Sequence, residues 1–315
     1  MGKTAFIYPG QGAQYIGMGR DAAERHAAAK RIFDEADAAL DFDLSGLIFS
    51  GNAEELKKTE NTQPALLTVC VALSAVLAGE GISPDIAAGL SIGEYAAHVS
   101  SGTFSFTDAV RIVRLRGKFM QEEVPEGIGG MAAVMGLGAD IVEECCKMAP
   151  ERAGDASLIV EPSNYNCPGQ TVISGHNKAV EAACALCRER GAKRAAALAV
   201  SAPFHCGLLR GAGDKLAVEL EKYTPGKMRF PVVSNVTAEL VTDPAEAFGL
   251  LVRQVASPVR WEQCVRRMHA EGVSRFVEIG PGKTLTGFVK KIVPEAEIIN
   301  VSDAASLDEA VLLLA

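Results

Sequence analysis

The segment GLSIG at residues 89–93 constrains the fold more than any other part of this 315-residue chain. A short apolar run at 86–88 leads into it, and a helix-like stretch at 94–99 follows. A serine on a tight strand-to-helix turn has its hydroxyl pushed out of the sheet, and glycines two residues to either side let the two backbones pass without a Cβ clash. The pattern predicts a nucleophile elbow with Ser91 as the nucleophile. The alternative is an ordinary Gly/Ser turn that caps a helix.

The order of apolar patterns predicts an α/β fold. Strand-like runs alternate with helical patterns: a strand over 4–8, a helix over about 21–40, a strongly apolar helix over 65–78 and a strand that leads to Ser91. Such alternation is typical of a parallel sheet with helices on both faces. Active sites in these sheets lie at the carboxyl ends of the strands, where Ser91 is expected.

The middle of the chain predicts an inserted subdomain. Its strands are expected over 129–135, 158–161, 171–174 and 194–200, and its helices over 139–148 and 176–190. This βαββαβ order is ferredoxin-like. We therefore predict a discontinuous larger domain at 1–128 and 201–315, a small subdomain at 129–200 and a cleft between them. The larger domain resumes with helices over about 208–223, 245–254, 261–270 and 285–292 and strands over 232–234 and 276–279.

The composition favours a compact soluble protein with neither a nucleic-acid nor a membrane partner. Hydrophobic residues make up 48% of the chain, and the net charge of −8 comes without a Lys/Arg run long enough to follow phosphates. The apolar stretch over 65–78 is shorter than the roughly 18 residues that a membrane span needs, so we expect a buried helix. Pro9 and Gly10 interrupt the N-terminal apolar run, which argues against a signal peptide.

The eight cysteines are expected to be reduced thiols in a cytoplasm, because no export signal accompanies them. Cys184 and Cys187 form a C-x-x-C pair within an alanine-rich helical pattern, without a second pair at zinc spacing. The adjacent Cys145 and Cys146 have awkward geometry for one metal ion. We therefore expect buried thiols and no metal site.

A serine hydroxyl needs a base, and His205 is the preferred candidate among five histidines. It follows the last strand of the predicted insert, close to the expected cleft. His98 lies about two turns after Ser91 and is expected to point elsewhere. The remaining histidines occupy polar stretches of predicted helices and are more simply surface residues: His26, His176 and His269.

Three further positions suit acyl chemistry. Glycines on both sides of Gln11, in the loop at 9–14, let its backbone N–H approach a reacting carbonyl; a plain turn is the alternative. The backbone N–H of Ile92, at the start of the helix after the elbow, is the other expected oxyanion donor. Arg116 emerges from a mainly apolar helix and either pairs with a protein carboxylate or binds one from a ligand.

Eight short phrases in order resemble the malonyl-CoA:acyl carrier protein transacylase family of bacterial fatty acid synthesis. They are PGQGAQ at 9–14, QPAL at 63–66, GLSIGEY at 89–95, LRG at 115–117, NCPGQ at 166–170, FH at 204–205, RQ at 253–254 and GPGK at 280–283. They span almost the whole chain, and together they are far more specific than any one motif. The resemblance implies an α/β-hydrolase-like core with a ferredoxin-like insert.

The resemblance also implies the reaction. The malonyl group of malonyl-CoA would pass to Ser91 and then to the phosphopantetheine thiol of acyl carrier protein, with ping-pong kinetics and without a bound metal or cofactor. The implied roles are Ser91 as nucleophile, His205 as base, Gln11 and Ile92 as oxyanion donors, Arg116 as the malonyl-carboxylate ligand, Gln254 as the residue whose backbone carbonyl orients His205, and Gln63 as part of the pocket lining.

Two positions depart from the family pattern. Leu90 stands where the family usually has histidine, which removes any polar support from that side chain. Phe204 stands where many bacterial members have serine; in related polyketide acyltransferases, phenylalanine there accompanies malonyl selection, because the ring crowds an α-methyl group. The alternatives are a trans-acting malonyl acyltransferase of a polyketide synthase, a serine thioesterase or esterase, and a non-catalytic binding module.

Overall fold

A computed structural model of the chain describes residues 2–125, 127–200 and 202–315. The first of these segments contains β1 (Lys3–Tyr8), α1 (Arg20–Arg25), α2 (Ala27–Leu40), α3 (Leu44–Ser50), α4 (Ala53–Lys57), α5 (Thr59–Gly79), β2 (Ile86–Gly89), α6 (Ile92–Ser101) and α7 (Phe106–Glu123). The prediction of one helix over about 21–40 is wrong. His26 adopts an extended conformation, with φ −123° and ψ 114°, and separates α1 from α2.

The second segment forms an antiparallel sheet with two helices. It contains β3 (Gly129–Met135), α8 (Ala139–Arg152), β4 (Val160–Cys167), β5 (Gln170–His176), α9 (Asn177–Glu189) and β6 (Arg194–Ala197). Within the described residues its strand order is β4-β5-β3-β6, and every pair is antiparallel. This is the ferredoxin-like arrangement that the sequence predicts, although β4 is longer and β6 shorter than expected.

The third segment returns to the main sheet. After a 3₁₀ turn at Gly207–Leu209 it contains α10 (Arg210–Leu220), β7 (Val232–Val233), β8 (Leu240–Val241), α11 (Pro244–Gln254), α12 (Trp261–Ala270), β9 (Val273–Ile279), α13 (Thr284–Ile292), β10 (Glu297–Val301) and α14 (Ala304–Leu314). The sequence analysis makes no prediction for β8, β10 or α14. Their short or half-exposed apolar runs carry a weak periodic signal.

The main sheet confirms the predicted α/β class. In the described part of the chain its order is β10-β9-β1-β2-β7-β8, and all pairs are parallel except β7 with β8. In the register of β1 with β2, Tyr8 lies opposite Gly89, so both strands end at the same level. The loop with Gln11 and the turn with Ser91 therefore leave the same edge of the sheet, where a site is expected.

Helix α5 forms the centre of one helical layer. Among the described residues it is the one helix long and apolar enough to cross a membrane, but 83% of its apolar window is buried inside the protein. The predicted buried helix is thus confirmed, although it begins earlier, at Thr59. The early start places Gln63 inside the helix and facing α7.

The ferredoxin-like sheet is fixed against the main body. The Tyr165 N–H donates to the Val259 carbonyl at 2.9 Å, and the Val259 N–H donates to the Ser163 carbonyl at 2.8 Å. The sheet has its own apolar cluster between its strands and α8 and α9. The predicted boundaries at 1–128, 129–200 and 201–315 stay a prediction, and positions 1 and 201 lie outside the described residues.

Close packing of α5 against α7 depends on Gly117. A Cβ at this position would lie 2.6 Å from the Thr59 carbonyl oxygen, whereas a Cβ at Gly249 in α11 would meet nothing within 4 Å. We expect Gly117→Ala to lower the free energy of unfolding by about 1 to 3 kcal/mol, the usual cost of overpacking. Gly249→Ala should be neutral or stabilising, since alanine favours a helix. Urea titration of both variants measures this, and equal effects would contradict it.

Candidate active site

The turn after β2 has the geometry of a nucleophile elbow. Ser91 has φ 55° and ψ −107°, a conformation that L residues rarely adopt. A Cβ at Gly89 would lie 1.9 Å from the Gly93 carbonyl carbon, and a Cβ at Gly93 would lie 2.2 Å from the Tyr8 carbonyl oxygen. Both glycines are therefore required for β2 to turn directly into α6, as the sequence predicts.

The structure brings His205 to Ser91. The two side chains meet at 2.7 Å between Ser91 Oγ and His205 Nε2. His205 Nδ1 lies 2.9 Å from the Gln254 backbone carbonyl oxygen. Because that oxygen only accepts, Nδ1 carries the hydrogen and Nε2 accepts from the serine hydroxyl. This is the arrangement in which a histidine removes a serine proton.

Burial keeps the His205 imidazole neutral. Loss of solvent, followed by the nearby positive charge of Arg116, lowers the pKa of His205 to about 3. His205 also has φ 62°, in the left-handed region. The other histidines contact different groups; His98 Nδ1, for example, lies 3.1 Å from Thr103 Oγ1.

Arg116 is a fully buried cation beside the serine. Its Nη1 donates to Gln63 Oε1 at 2.7 Å, and its Nη2 donates to Gln254 Oε1 at 2.9 Å and to Ser91 Oγ at 3.3 Å. Burial lowers the pKa of Arg116, yet a guanidinium stays protonated in proteins. These hydrogen-bond acceptors are neutral amide and hydroxyl oxygens rather than a carboxylate. The arrangement favours the interpretation that Arg116 binds a carboxylate of a ligand over the interpretation that it forms a structural ion pair.

These groups line one cavity of about 380 Å³ between the two sheets. The small sheet contributes Met131, Asn164, Asn166 and Val172 to its wall. The predicted site residues that line it are Gln11, Gln63, Ser91, Ile92, Arg116, Phe204 and His205. Leu90 also faces it, so the position where the family usually has histidine presents an apolar surface to the cavity.

The two expected oxyanion donors lie on either side of the elbow. Ile92 is the first residue of α6, so no carbonyl oxygen from a preceding turn of the helix accepts its N–H. A Cβ at Gly10 would lie 2.7 Å from the Leu90 carbonyl oxygen, so glycine there lets the β1 loop approach the elbow and brings Gln11 to the cavity wall. The positive end of α6 adds to the stabilisation of a negative oxygen at this place.

Comparison with known proteins identifies the family. The model of the acyl transferase domain matches residues 5–309. The chain belongs to this acyl transferase domain family. It is 48% identical over 314 residues to the malonyl CoA-acyl carrier protein transacylase of Bacillus subtilis (strain 168), covering 100% of this chain and 98% of that protein.

Solved structures agree with this acyl transferase fold. An acyl carrier protein S-malonyltransferase from Vibrio cholerae matches with a TM-score of 0.94 at 44% identity, covering 98% of this chain and 99% of that one. A malonyl-transacylase in complex with a type II PKS acyl-carrier protein matches with a TM-score of 0.95 at 44% identity, covering 99% of each chain.

Two further residues of this acyl transferase domain lie at the site, and the sequence analysis predicted no role for either. Asn235 Oδ1 accepts from the Ser91 N–H at 2.7 Å, and its Nδ2 donates to the Gly89 carbonyl at 2.8 Å. Glu94, one helical turn after the elbow, is buried behind the same network. The available signal for Asn235 was its position two residues after a short strand, at the carboxyl edge of a parallel sheet.

The cysteines do not take part in this site. No cysteine is among the described residues that line the cavity. Cys184 and Cys187 of α9 are buried free thiols. Burial raises the pKa of the Cys184 thiol, which opposes thiolate formation. Among the described residues, no group of three His, Cys, Asp or Glu side chains is placed to hold a metal ion. The expectation of an enzyme without a resident metal stays a prediction.

The neutral state of buried His205 predicts a pH-dependent stability difference. The unfolded chain takes up a proton below the ordinary pKa of 6.5, whereas folded His205 does so only near 3, so His205 lowers the free energy of unfolding as pH falls through this window. His205→Gln lacks this loss. The free energies of unfolding of the variant and the wild type are measured by urea titration at pH 7.5 and at pH 5. On going to pH 5, the wild type should lose about 2 kcal/mol more than the variant. No shift would show an imidazole that titrates normally in the folded protein.

Proposed function

We propose that this chain transfers the malonyl group of malonyl-CoA to the phosphopantetheine thiol of acyl carrier protein through a malonyl ester on Ser91. One observation carries the proposal: Ser91 Oγ lies 2.7 Å from His205 Nε2 and 3.3 Å from Nη2 of the buried Arg116. A base and a fixed cation thus meet at one hydroxyl. The names of the similar proteins support the same reaction: one is a malonyl CoA-acyl carrier protein transacylase and another is an acyl carrier protein S-malonyltransferase.

In the first half-reaction, the free carboxylate of malonyl-CoA binds Arg116 through paired N–H···O bonds. This contact places the thioester carbonyl carbon at Ser91 Oγ. His205 Nε2 takes the serine proton as the C–O bond forms, and the backbone N–H groups of Gln11 and Ile92 stabilise the tetrahedral oxyanion. The C–S bond then breaks, and the proton on His205 passes to the CoA sulfur.

In the second half-reaction, the carrier-protein thiol replaces CoA in the same cavity. His205 takes the thiol proton, sulfur attacks the ester carbonyl, and the proton returns to Ser91 Oγ as the C–O bond breaks. Gln254 holds the imidazole through its backbone carbonyl, so a third acidic residue is unnecessary. Substrate and product thus share one site in a ping-pong sequence, without a resident cofactor.

The buried cation distinguishes this proposal from a general esterase. An ester without a free carboxylate gains nothing from Arg116, while the cation remains costly to bury. Phe204 forms part of the cavity wall and restricts substituents on the malonyl α-carbon. We place the enzyme in the cytoplasm and in fatty acid synthesis. This assignment is tested against a polyketide role by measuring the rate of malonyl transfer to a carrier protein of fatty acid synthesis and to one of a polyketide synthase.

Ser91→Ala should abolish malonyl transfer, because it removes the hydroxyl that contacts His205 Nε2. Intact-mass measurement after mixing with malonyl-CoA tests this. The wild type should gain one malonyl group and lose it when acyl carrier protein is added, whereas the variant should keep its unmodified mass. A malonyl adduct on the variant would place the nucleophile elsewhere.

Arg116→Ala should lower malonyl transfer far more than acetyl transfer, since only malonyl presents a carboxylate to the guanidinium. The readout is the ratio of kcat/KM for malonyl-CoA to that for acetyl-CoA. Arg111→Ala is the matched control, because Arg111 lies on the same helix but donates to the Ala39 carbonyl away from the cavity. Equal losses for both acyl groups in Arg116→Ala would contradict the carboxylate contact.

A further inference from the structure

Glu94 is a carboxylate with no exposed surface, one turn into α6 from the elbow. Its Oε2 accepts from Gln254 Nε2 at 2.6 Å and from the Asn235 backbone N–H at 3.0 Å. An interior carboxylate is unfavourable unless such donors surround it. Both donors here belong to residues that touch the proposed reacting groups.

The Gln254 side chain is a polar bridge whose direction matters. Its Oε1 accepts from Arg116 Nη2 at 2.9 Å, and its Nε2 donates to Glu94 and to the Ser91 carbonyl oxygen at 3.1 Å. A flipped amide would set N–H against N–H at the guanidinium and oxygen against oxygen at Glu94. The hydrogen-bond acceptor at Glu94 Oε2 therefore selects the orientation that suits Arg116.

The same residue also supports the imidazole and the elbow. The Gln254 backbone oxygen holds His205 Nδ1, so a shift of Gln254 displaces the imidazole as well as the guanidinium. Asn235, held at its backbone by Glu94, accepts the Ser91 N–H through its side chain. That bond supports a serine backbone held at φ 55°. Hydrogen bonds through Gln254 and Asn235 thus connect three reacting groups to one buried carboxylate.

We propose that Glu94 is a positioning residue of the transfer reaction, which fixes the amide orientation of Gln254 and the backbone of Asn235 and thereby aligns Arg116, His205 and Ser91. This inference rests on the proposed function.

Groups outside the active site do little to stabilise the buried side chain of Glu94. Its Oε1 has no hydrogen-bond partner, and the nearest histidine nitrogen, His98 Nε2, lies 4.0 Å away. Burial raises the pKa of Glu94 to about 7, while the bonds from Asn235 and Gln254, then the charge of Arg116, oppose this rise. The groups that favour its charged form are therefore those of the active site.

Glu94→Leu removes the acceptor with little change in volume. We expect the single-turnover rate of malonyl-Ser91 formation, measured by quenched intact-mass spectrometry on folded protein, to fall on the order of 10- to 100-fold, the loss typical of hydrogen-bond partners that support metal ligands. Glu94→Gln should recover most of this rate, because its amide oxygen can take the place of Oε2. Should the leucine variant fail to fold, Glu94→Asp carries the test, since its shorter side chain withdraws the carboxylate from Gln254.

A double-mutant cycle tests the route through Gln254. Gln254→Met removes the side-chain amide and keeps the backbone carbonyl that holds His205. If Glu94 acts through that amide, Glu94→Leu should cost several-fold less rate in the Gln254→Met background than in the wild type. Glu278→Leu is the matched control: Glu278 is equally buried and accepts two backbone N–H groups at the start of α13. This control should lower thermal stability without lowering the acylation rate.

The inference is overturned if folded Glu94→Leu acylates at the wild-type rate, if its loss is the same in both backgrounds, or if the Glu278 control loses as much rate. Each of these results leaves acylation of the wild type intact. Absence of any malonyl adduct on the wild type would instead overturn the proposed function.

Discussion

The contact between Gly89 and Gly93 is the constraint on which the site depends. It lets β2 turn into α6 with Ser91 at the turn between them, and it lets α6 approach the end of β1. The resulting strain at Ser91 is balanced by hydrogen bonds to the surrounding structure, chiefly the bond from its N–H to Asn235. The β1 loop, the α6 N-terminus and β7 consequently meet at one point.

The second constraint is electrostatic. Arg116 is buried among neutral oxygens, and the nearby carboxylate of Glu94 is separated from it by the amide of Gln254. A direct ion pair would satisfy the guanidinium and leave it little tendency to bind a ligand carboxylate. The intervening amide keeps the guanidinium oriented and its charge available. Burial, followed by the charge of the same cation, lowers the pKa of His205, which keeps the imidazole in its neutral, proton-accepting form.

Much of this architecture could be predicted because its signals are local. Glycine spacing predicts the elbow around Ser91, and the order of apolar runs predicts both sheets. The split at His26 was missed, because a single extended residue between two helical patterns leaves the periodicity nearly unchanged. Asn235 and Glu94 were missed for another reason. Each acquires its role from partners more than 100 positions away, such as Ser91 to Asn235 and Glu94 to Gln254.

The sequence by itself determined the α/β class, the ferredoxin-like insert, the elbow and, through ordered motifs, the family. These follow from periodicity, glycine placement and residue identity, which are properties of neighbouring positions. Only the tertiary structure decided which oxygens surround Arg116, which nitrogen of His205 carries the hydrogen, and that a buried carboxylate orients Gln254. Hydrogen bonds join specific atoms at about 3 Å, and such distances between remote segments are set by the packing of the two sheets and their helices.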